Sequence, residues 1–341
     1  QRASFQGYRI ERYKLAAFVV SAVITGLAGT LVAFQTYLVS AEAVSVAFSG
    51  ELLAIVVIGG MRNLLGPALG ALFFVLFREL LSIWTPNWLL WFGLIFVGFV
   101  IFSPDGLIGI WAKLQRRWKP QPSLASAMSQ RKIYEGLALP SFLCPENATG
   151  PALRVGGIAR KFGGIQAVKN ASLSIQVGEI HALIGPNGAG KTTLFNLLSG
   201  MFSPDAGTVH LHGKEIGRKR PHDICDAGLA RSFQITNLFR GLSIHENLRL
   251  SLQARHRADF NVWRDIGSYR DINAETAELI KFLGLEGIEN VLAGDLSYGG
   301  QRLVDLGIAL GCKPQVLLLD EPLAGLAAAE RERIARLVKE I

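Results

Sequence analysis

Apolar positions dominate the first third of the chain in long runs that polar residues rarely interrupt. Residues 14–34 carry one charge, at the edge, over 21 positions. A helix rising 1.5 Å per residue over that length spans a hydrocarbon core of about 30 Å. Three more apolar segments follow at 43–60, 66–84 and 87–103. The pattern therefore predicts four membrane-spanning helices.

Basic residues flank this apolar region at both ends: Arg2, Arg9, Arg12 and Lys14 come before it, and Lys113, Arg116, Arg117 and Lys119 come after it. Because Lys and Arg are retained on the cytoplasmic side of a membrane, both ends are expected there, which requires an even number of spans. Four spans also place Arg62 inside and Glu42 outside. The alternative, a buried helical hairpin of a soluble protein, has to explain several long apolar segments in succession.

Small residues recur within the predicted spans. Gly66 and Gly70 have the GxxxG spacing, which lets two helix backbones approach closely inside a membrane. Glu51, Arg78 and Glu79 also fall within these segments. Placing a charge at the bilayer centre costs about 2.5–3.5 kcal/mol even on the most lenient scale, so these side chains are expected to face protein or water.

Charge separates the chain into two unlike parts. Residues 1–150 contain 12 Lys and Arg and 7 Asp and Glu, whereas residues 151–341 contain 23 and 20. We attribute the formal net charge of +8 to the retention of basic residues beside the spans, and expect no nucleic-acid partner. The three cysteines predict neither a disulfide framework nor a metal site. Since the chain begins without Met and without a signal segment, it is interpreted as a fragment that starts inside a larger protein.

Proline recurs where the apolar runs end, at positions 120, 122, 140, 145 and 151. Proline at that density prevents a continuous helix and makes a partly extended tether. The predicted organisation is a transmembrane portion at 1–112, a cytoplasmic linker at 113–150 and a soluble domain at 151–341.

The segment GPNGAGKTT, residues 185–193, matches the phosphate-binding pattern G-x-x-x-x-G-K-[ST]. Glycines let backbone N–H groups close around phosphate oxygens, and the following helix directs its positive end at them. Lys191 is expected to reach the β and γ phosphates, and Thr192 to ligate Mg²⁺. Residues 180–184 predict a buried strand entering the loop, and TLFNLLSG predicts a helix leaving it. The predicted nucleotide-binding residues are Gly185, Asn187, Gly188, Ala189, Gly190, Lys191, Thr192 and Thr193.

A second motif, VLLLDEP at residues 316–322, predicts a buried strand that ends in two carboxylates. The end of such a strand delivers Asp320 to the Mg²⁺ ion and Glu321 toward an attacking water. Together with Lys191, these residues predict a hydrolytic site for a nucleoside triphosphate.

The sequence LSYGGQ, residues 296–301, resembles the signature motif of ABC transporter ATPases, and the resemblance extends over residues 152–341 through several ordered motifs. It implies an α/β P-loop NTPase with a helical subdomain at about 235–310, and ATP and Mg²⁺ as cofactors. It also implies a head-to-tail dimer in which Ser297 and Gly299 of one subunit contact the γ-phosphate held by the other. Gln234 resembles the glutamine that senses Mg²⁺ and contacts the permease, and Phe162 the aromatic residue that stacks on adenine.

More narrowly, ARSFQITNLFRGLSIHENL and EPLAGL are similar to the ATPase subunits of branched-chain amino acid importers, and IGGMRNLLGPALGA is similar to their all-α permeases. The resemblance implies ATP-driven import of small hydrophobic amino acids across the cytoplasmic membrane. The implied partners are a second permease subunit, a second ATPase subunit, a periplasmic substrate-binding protein and membrane lipid. Gly7 falls where such permeases carry the cytoplasmic loop that docks into the ATPase.

Two departures from the family pattern bear on turnover. Gly300 stands where most signatures have Gln, and Ala327 stands where the loop after the carboxylates has Asn or Asp. These departures leave open a subunit that binds ATP but hydrolyses it weakly. An exporter half-transporter, which would show six spans before the ATPase and need no binding protein, is the other alternative within transport. A non-transport ATPase of the same superfamily is the alternative outside transport, and the predicted spans argue against it.

Overall fold

The computed structural model describes residues 2–38, 41, 45–61, 63, 65–103, 105–118, 139–143, 150–232, 238–256 and 266–341. The chain divides into two compact units, one at 18–123 and the other formed by 1–17 together with 124–341. The predicted linker at 113–150 lies largely outside the described residues, as do Gln234, Arg62 and Glu42.

Helices make up the first part of the chain: α1 (Ile10–Thr36), α2 (Val46–Gly59), α3 (Gly66–Trp84), α4 (Trp88–Phe102) and α5 (Gly106–Trp118). A short 3-10 turn at Arg2–Gln6 precedes them. In the described residues, two of the helices, α1 and α3, are long and apolar enough to cross a membrane, and α2 and α4 are shorter apolar helices of 14 and 15 residues. The four predicted segments are thus helical, and their number of crossings stays a prediction.

Local sequence sets the ends of these helices. Ser45 caps α2, because its Oγ accepts a hydrogen bond of 3.2 Å from the Phe48 N–H. Gly60, at φ 114°, ends the same helix in a conformation that only glycine adopts without strain. Between α3 and α4, Phe74 and Phe92 pack edge to face at 4.9 Å.

Glycines bring α2 and α3 into backbone contact. A β-carbon added at Gly70 would overlap the carbonyl oxygen of Ile55, and one added at Gly59 would overlap the carbonyl oxygen of Gly66. The close approach predicted from the Gly66 and Gly70 spacing is confirmed. Because both obstacles are backbone atoms, a side chain at either position can be accommodated only by separating the helices.

A Gly70→Ala substitution should therefore destabilise this unit by about 1–3 kcal/mol, lowering its thermal unfolding midpoint by about 2–10 °C. The measurement is thermal unfolding of the detergent-solubilised chain. Gly93→Ala in α4 is the matched control, because a β-carbon there has no atom within 4 Å. Equal midpoints for the two variants would show that the α2–α3 contact is not close-packed.

The second unit contains two sheets. The strands β1 (Pro151–Phe162), β2 (Ile165–Gln176), β3 (Ala206–Leu211) and β4 (Lys214–Glu215) form an antiparallel sheet in the order β2-β1-β3-β4, while β5 (Leu229–Ser232) and β6 (Val316–Leu319) pair in parallel. The helices are α6 (Lys191–Leu198), α7 (Pro221–Ala227), α8 (Ile244–Arg255), α9 (Arg270–Phe282), α10 (Tyr298–Gly311) and α11 (Ala328–Glu340). Three 3-10 turns lie at Ser141–Leu143, Ile266–Ser268 and Ala293–Asp295.

Two apolar cores stabilise this unit. One packs α6 against both sheets, through Leu197, Val209 and Leu318. The other lies among α8, α9 and α10 and includes Leu248 and Leu279, both fully buried. The unit therefore combines strands and helices in the α/β arrangement expected from the sequence, with a separate helical core after β5.

The prediction of a strand at residues 180–184 is wrong. This apolar segment adopts no strand in the structure, and Ile180 and Ile184 are 74% and 90% exposed. A strand needs a neighbouring strand that satisfies its backbone hydrogen bonds. Among the described strands, β6 pairs with β5 alone, so residues 180–184 do not pair with β6. An apolar run indicates a tendency to be buried, but it does not determine whether another strand lies next to it to pair with.

Candidate functional site

The phosphate-binding motif forms an exposed loop that leads directly into α6. Gly188 and Gly190 have φ of 84° and 86°, so both positions need the left-handed conformation that glycine adopts freely. A β-carbon at Gly190 would also overlap the carbonyl oxygen of Ala167 in β2. The loop is thus held close to β2, and its N–H groups and the amino end of α6 form one electropositive surface.

Lys191, the first residue of α6, folds back over the loop. Its Nζ donates hydrogen bonds to the carbonyl oxygens of Gly185 at 2.6 Å and Pro186 at 2.8 Å. Thr192 is exposed beside it, and Leu194 anchors the same helix in the core. The ammonium group therefore lies within the loop, as binding of a triphosphate requires.

Asp320 and Glu321 directly follow β6, as the sequence predicts. The Asp320 carboxylate accepts a hydrogen bond of 3.0 Å from Nη2 of Arg231 in β5, and its side chain is 13% exposed. Glu321 has φ 47°, an uncommon conformation for a residue other than glycine. Such backbone strain is concentrated at functional sites in proteins.

Arg231 is a site residue that the motif search missed. Its Nη1 donates to the Asn196 Oδ1 at 2.6 Å and the Ser199 Oγ at 3.1 Å, both at the carboxyl end of α6. Burial lowers the pKa of the guanidinium, while the hydrogen bond and charge of Asp320 oppose this shift. No motif in the sequence marks Arg231. Only the structure shows that it lies in a four-residue strand whose residues are all buried, where a buried charge needs a carboxylate partner.

The oxygen donors at this site fit Mg²⁺. Magnesium takes hard oxygen ligands and is usually held by one or two protein groups together with substrate phosphates. Thr192 offers a hydroxyl at the start of α6, and Asp320 offers a carboxylate at the end of β6. Among the residues that the structure describes, these two could hold the ion, and the predicted ligand Gln234 lies outside them.

Phe162, at the end of β1, is 40% exposed. Two neighbours contact the Phe162 ring. The ring of Phe202 lies 5.3 Å away between centroids, and the guanidinium of Arg160 lies 5.1 Å from the Phe162 centroid. Arg160 is held in turn by Asp205 at 2.6 Å. The backbone N–H of Lys161 and this guanidinium lower the pKa of Asp205. The aromatic ring is therefore positioned and still accessible.

The signature segment forms the amino end of α10. Ser297 caps the helix, with its Oγ accepting a hydrogen bond of 3.2 Å from the Gly300 N–H. The Glu330 carboxylate of α11 packs on Gly299, where a β-carbon would overlap all three atoms of the carboxyl group. The Ser297 Oγ lies 3.4 Å from the Glu330 Oε1. A negatively charged group thus rests on the electropositive end of this helix.

Strand β5, which precedes Gln234 in the sequence, is hydrogen-bonded to the signature helix α10. Ser232, the last residue of β5, donates a hydrogen bond of 2.5 Å to the Asp305 Oδ2 of α10, and both side chains are buried. Gln234 itself lies outside the described residues, so its predicted role stays a prediction.

The turn at the amino end of the chain packs on α7 and α8. Gln6 is buried, and the Tyr8 hydroxyl donates to the carbonyl oxygen of Leu250 at 2.8 Å. At Gly7, with φ 95°, a β-carbon would lie 3.2 Å from the Asp226 Oδ1. These contacts form a docking surface for the turn Arg2–Gln6 and the two residues that follow it.

The phosphate loop, the carboxylates that follow β6 and the parallel β5–β6 pair are the features of a P-loop ATPase. Residues 168–324 match the family model described as ABC transporter, and residues 1–103 match the model described as branched-chain amino acid transport system / permease component. The chain therefore belongs to the ABC transporter family, with a permease portion and an ATPase portion in one polypeptide.

Curated relatives and solved structures agree with this assignment. The chain is 35% identical over 196 residues to LivG of Salmonella typhimurium, a high-affinity branched-chain amino acid transport ATP-binding protein, covering 56% of this chain and 77% of LivG. It is 38% identical over 195 residues to the ribose import ATP-binding protein RbsA 2 of Streptomyces avermitilis, covering 56% and 37%. The ADP conformation of the ATP-binding cassette MJ1267 is 30% identical, with a TM-score of 0.50 over 56% of this chain and 77% of that one.

Phe162→Ala should weaken ATP binding at least about fivefold, because stacking of a base on an aromatic ring contributes roughly 1–3 kcal/mol. Equilibrium titration with a fluorescent ATP analogue measures the effect, and inorganic triphosphate should bind both forms equally. Ile165→Ala is the control, since Ile165 is a 74% exposed apolar residue of the same hairpin. Equal ATP affinity in the two variants would remove Phe162 from the adenine site.

Proposed function

We propose that the chain uses ATP hydrolysis to drive the import of small hydrophobic, branched-chain amino acids or close analogues across the cytoplasmic membrane. The observation that carries the proposal is the ammonium group of Lys191 within an exposed phosphate loop, in a chain whose residues 1–103 match a permease model. The branched-chain permease model and the LivG relative support this substrate class. The ribose-type relative supports a sugar as the competing cargo.

The residues of the site act together on the γ-phosphate. The loop N–H groups and Lys191 bind the triphosphate and neutralise its charge. Glu321 orients the attacking water and accepts its proton, and Gln234 helps to fix where that water lies relative to the metal ion. Thr192 and Asp320 would hold Mg²⁺, whose positive charge would neutralise charge that develops on the phosphate oxygens.

Two ATPase subunits form a head-to-tail dimer in this proposal. Ser297 and Gly299 at the amino end of α10 contact the γ-phosphate bound by the partner subunit, since a helix amino terminus binds anions. Closure of the dimer passes to the permease through the amino-terminal turn, whose contacts with α7 and α8 fit such a link. Hydrolysis then resets the dimer.

We place four membrane spans within residues 1–112, a cytoplasmic linker at 113–150 and the ATPase at 151–341, with both ends of the permease portion in the cytoplasm. The working complex would also contain a second permease, a second ATPase and a periplasmic substrate-binding protein. An exporter would instead dispense with the binding protein. A subunit that only binds ATP is favoured by one observation: Ala327, which immediately precedes α11, makes no side-chain hydrogen bond at the position where the family pattern has Asn or Asp.

Glu321→Gln should leave Mg·ATP binding intact while lowering the hydrolysis rate by about 10²-fold or more, because the neutral amide cannot accept a proton from water. ATP binding and phosphate release are measured with the chain reconstituted in membranes. Glu332→Gln, which removes an equal charge from the exposed Glu332–Arg336 pair, is the control. Equal rates in all three proteins would favour the binding-only alternative.

Gly7→Val should uncouple transport from hydrolysis. The substitution forces a branched side chain into φ 95° and against Asp226, which costs roughly 1–3 kcal/mol, so cargo moved per ATP hydrolysed should fall at least about fivefold. Gly241→Val is the control, because a β-carbon there has no atom within 4 Å. A fall in ATP binding equal to the fall in transport would show that Gly7 supports the fold instead of the coupling.

Cargo uptake into proteoliposomes tests the function itself. The complex that co-purifies with the chain is reconstituted, and the uptake of labelled leucine and of labelled ribose is measured with and without ATP. The same measurements are made with the Lys191→Ala variant. ATP-dependent leucine uptake that the variant abolishes supports the proposal. Uptake of ribose alone, or outward movement of cargo without a binding protein, would contradict it.

A further inference from the structure

Arg231 connects the two segments that would hold Mg·ATP. Its side chain is 3% exposed. It bonds to Asp320 after β6 on one side, and on the other to Asn196 near the carboxyl end of α6 and to Ser199, which follows that helix. The guanidinium carbon also lies 5.6 Å from the centre of the Phe195 ring. One planar group thus sets the distance between the phosphate-loop helix and the carboxylate.

The chemistry of this contact requires an arginine. A guanidinium presents several N–H donors in a rigid plane and bonds two acceptors in different directions, while an ammonium is a point charge on a flexible stem. Here Nη2 serves Asp320 and Nη1 serves the α6 residues. A lysine at this position would retain the charge but not the simultaneous contacts.

The stability of the fold does not by itself explain such a group. A buried ion pair is often no more stabilising than apolar residues of the same volume. In metal sites, however, a carboxylate ligand is itself hydrogen-bonded by an outer group that orients it, and loss of that group weakens metal binding about 10–100-fold. In the Arg231–Asp320 contact, Arg231 bonds the Oδ2.

We propose that Arg231 is a positioning residue for Mg²⁺, holding one carboxylate oxygen of Asp320 so that the other can ligate the ion. The proposal rests on the proposed function, in which Asp320 ligates Mg²⁺. Arg231 therefore acts through Asp320 and through α6, and touches neither the ion nor the nucleotide.

The test measures how strongly Mg²⁺ increases nucleotide affinity. A fluorescent ATP analogue is titrated into the full chain in detergent, with Mg²⁺ and with EDTA, and the ratio of the two affinities is the readout. Arg231→Gln should reduce this ratio about 10–100-fold, and Arg231→Lys should reduce it less. A purely structural role would lower both affinities and leave the ratio unchanged.

Two further variants keep the test decisive if Arg231→Gln folds poorly. Ser199→Ala removes one contact of the guanidinium from a small side chain and should reduce the ratio several-fold. Arg249→Gln is the matched control, because Arg249 is a largely covered arginine paired with Glu246 in α8, and its ratio should equal that of the unmodified chain. A ratio that is unchanged or raised in Arg231→Gln and Ser199→Ala overturns the proposal.

Asp320→Asn separates this inference from the proposed function. If Asp320→Asn lowers the Mg²⁺ effect and Arg231→Gln does not, the inference fails while the metal site stands. If the unmodified chain shows no Mg²⁺ effect, or Asp320→Asn leaves it unchanged, the assignment of Asp320 as a ligand fails first.

Discussion

A buried ion pair joins the two parts of the nucleotide site. Arg231 is the third residue of β5, and Asp320 directly follows the parallel strand β6. The same guanidinium reaches α6. Because a charge this poorly exposed is costly without a partner, the position of each strand end depends on the other. The phosphate loop is connected to this pair through α6, and the signature helix is connected to β5 through Ser232.

The site was predictable from sequence wherever a motif encodes backbone geometry. A glycine at position 190 is needed because its φ is positive, and the pattern of the loop specifies a glycine at this position. The glycine contact between α2 and α3 was predictable for the same reason, since small residues at fixed spacing determine how near two helices come. These features are local, or repeat along one helix.

Features that depend on distant partners were not predictable. The segment at 180–184 has the composition of a strand, but whether it forms one depends on a neighbouring strand that local composition does not specify. Arg231 looks like an ordinary basic residue until Asp320, 89 positions later, is seen beside it. The contact of Glu330 with Gly299 joins the signature motif to a residue of α11 that belongs to no motif.

The carboxylate of Glu330 has a consequence for anything that binds at the amino end of α10. Because it already lies against Gly299, an incoming phosphate meets a resident anion and must displace it. Association at this end is consequently an exchange between two negative groups, with a smaller net free energy than docking on a bare helix terminus. In the proposed dimer, the Glu330 carboxylate would therefore compete with the partner subunit's nucleotide for the amino end of α10.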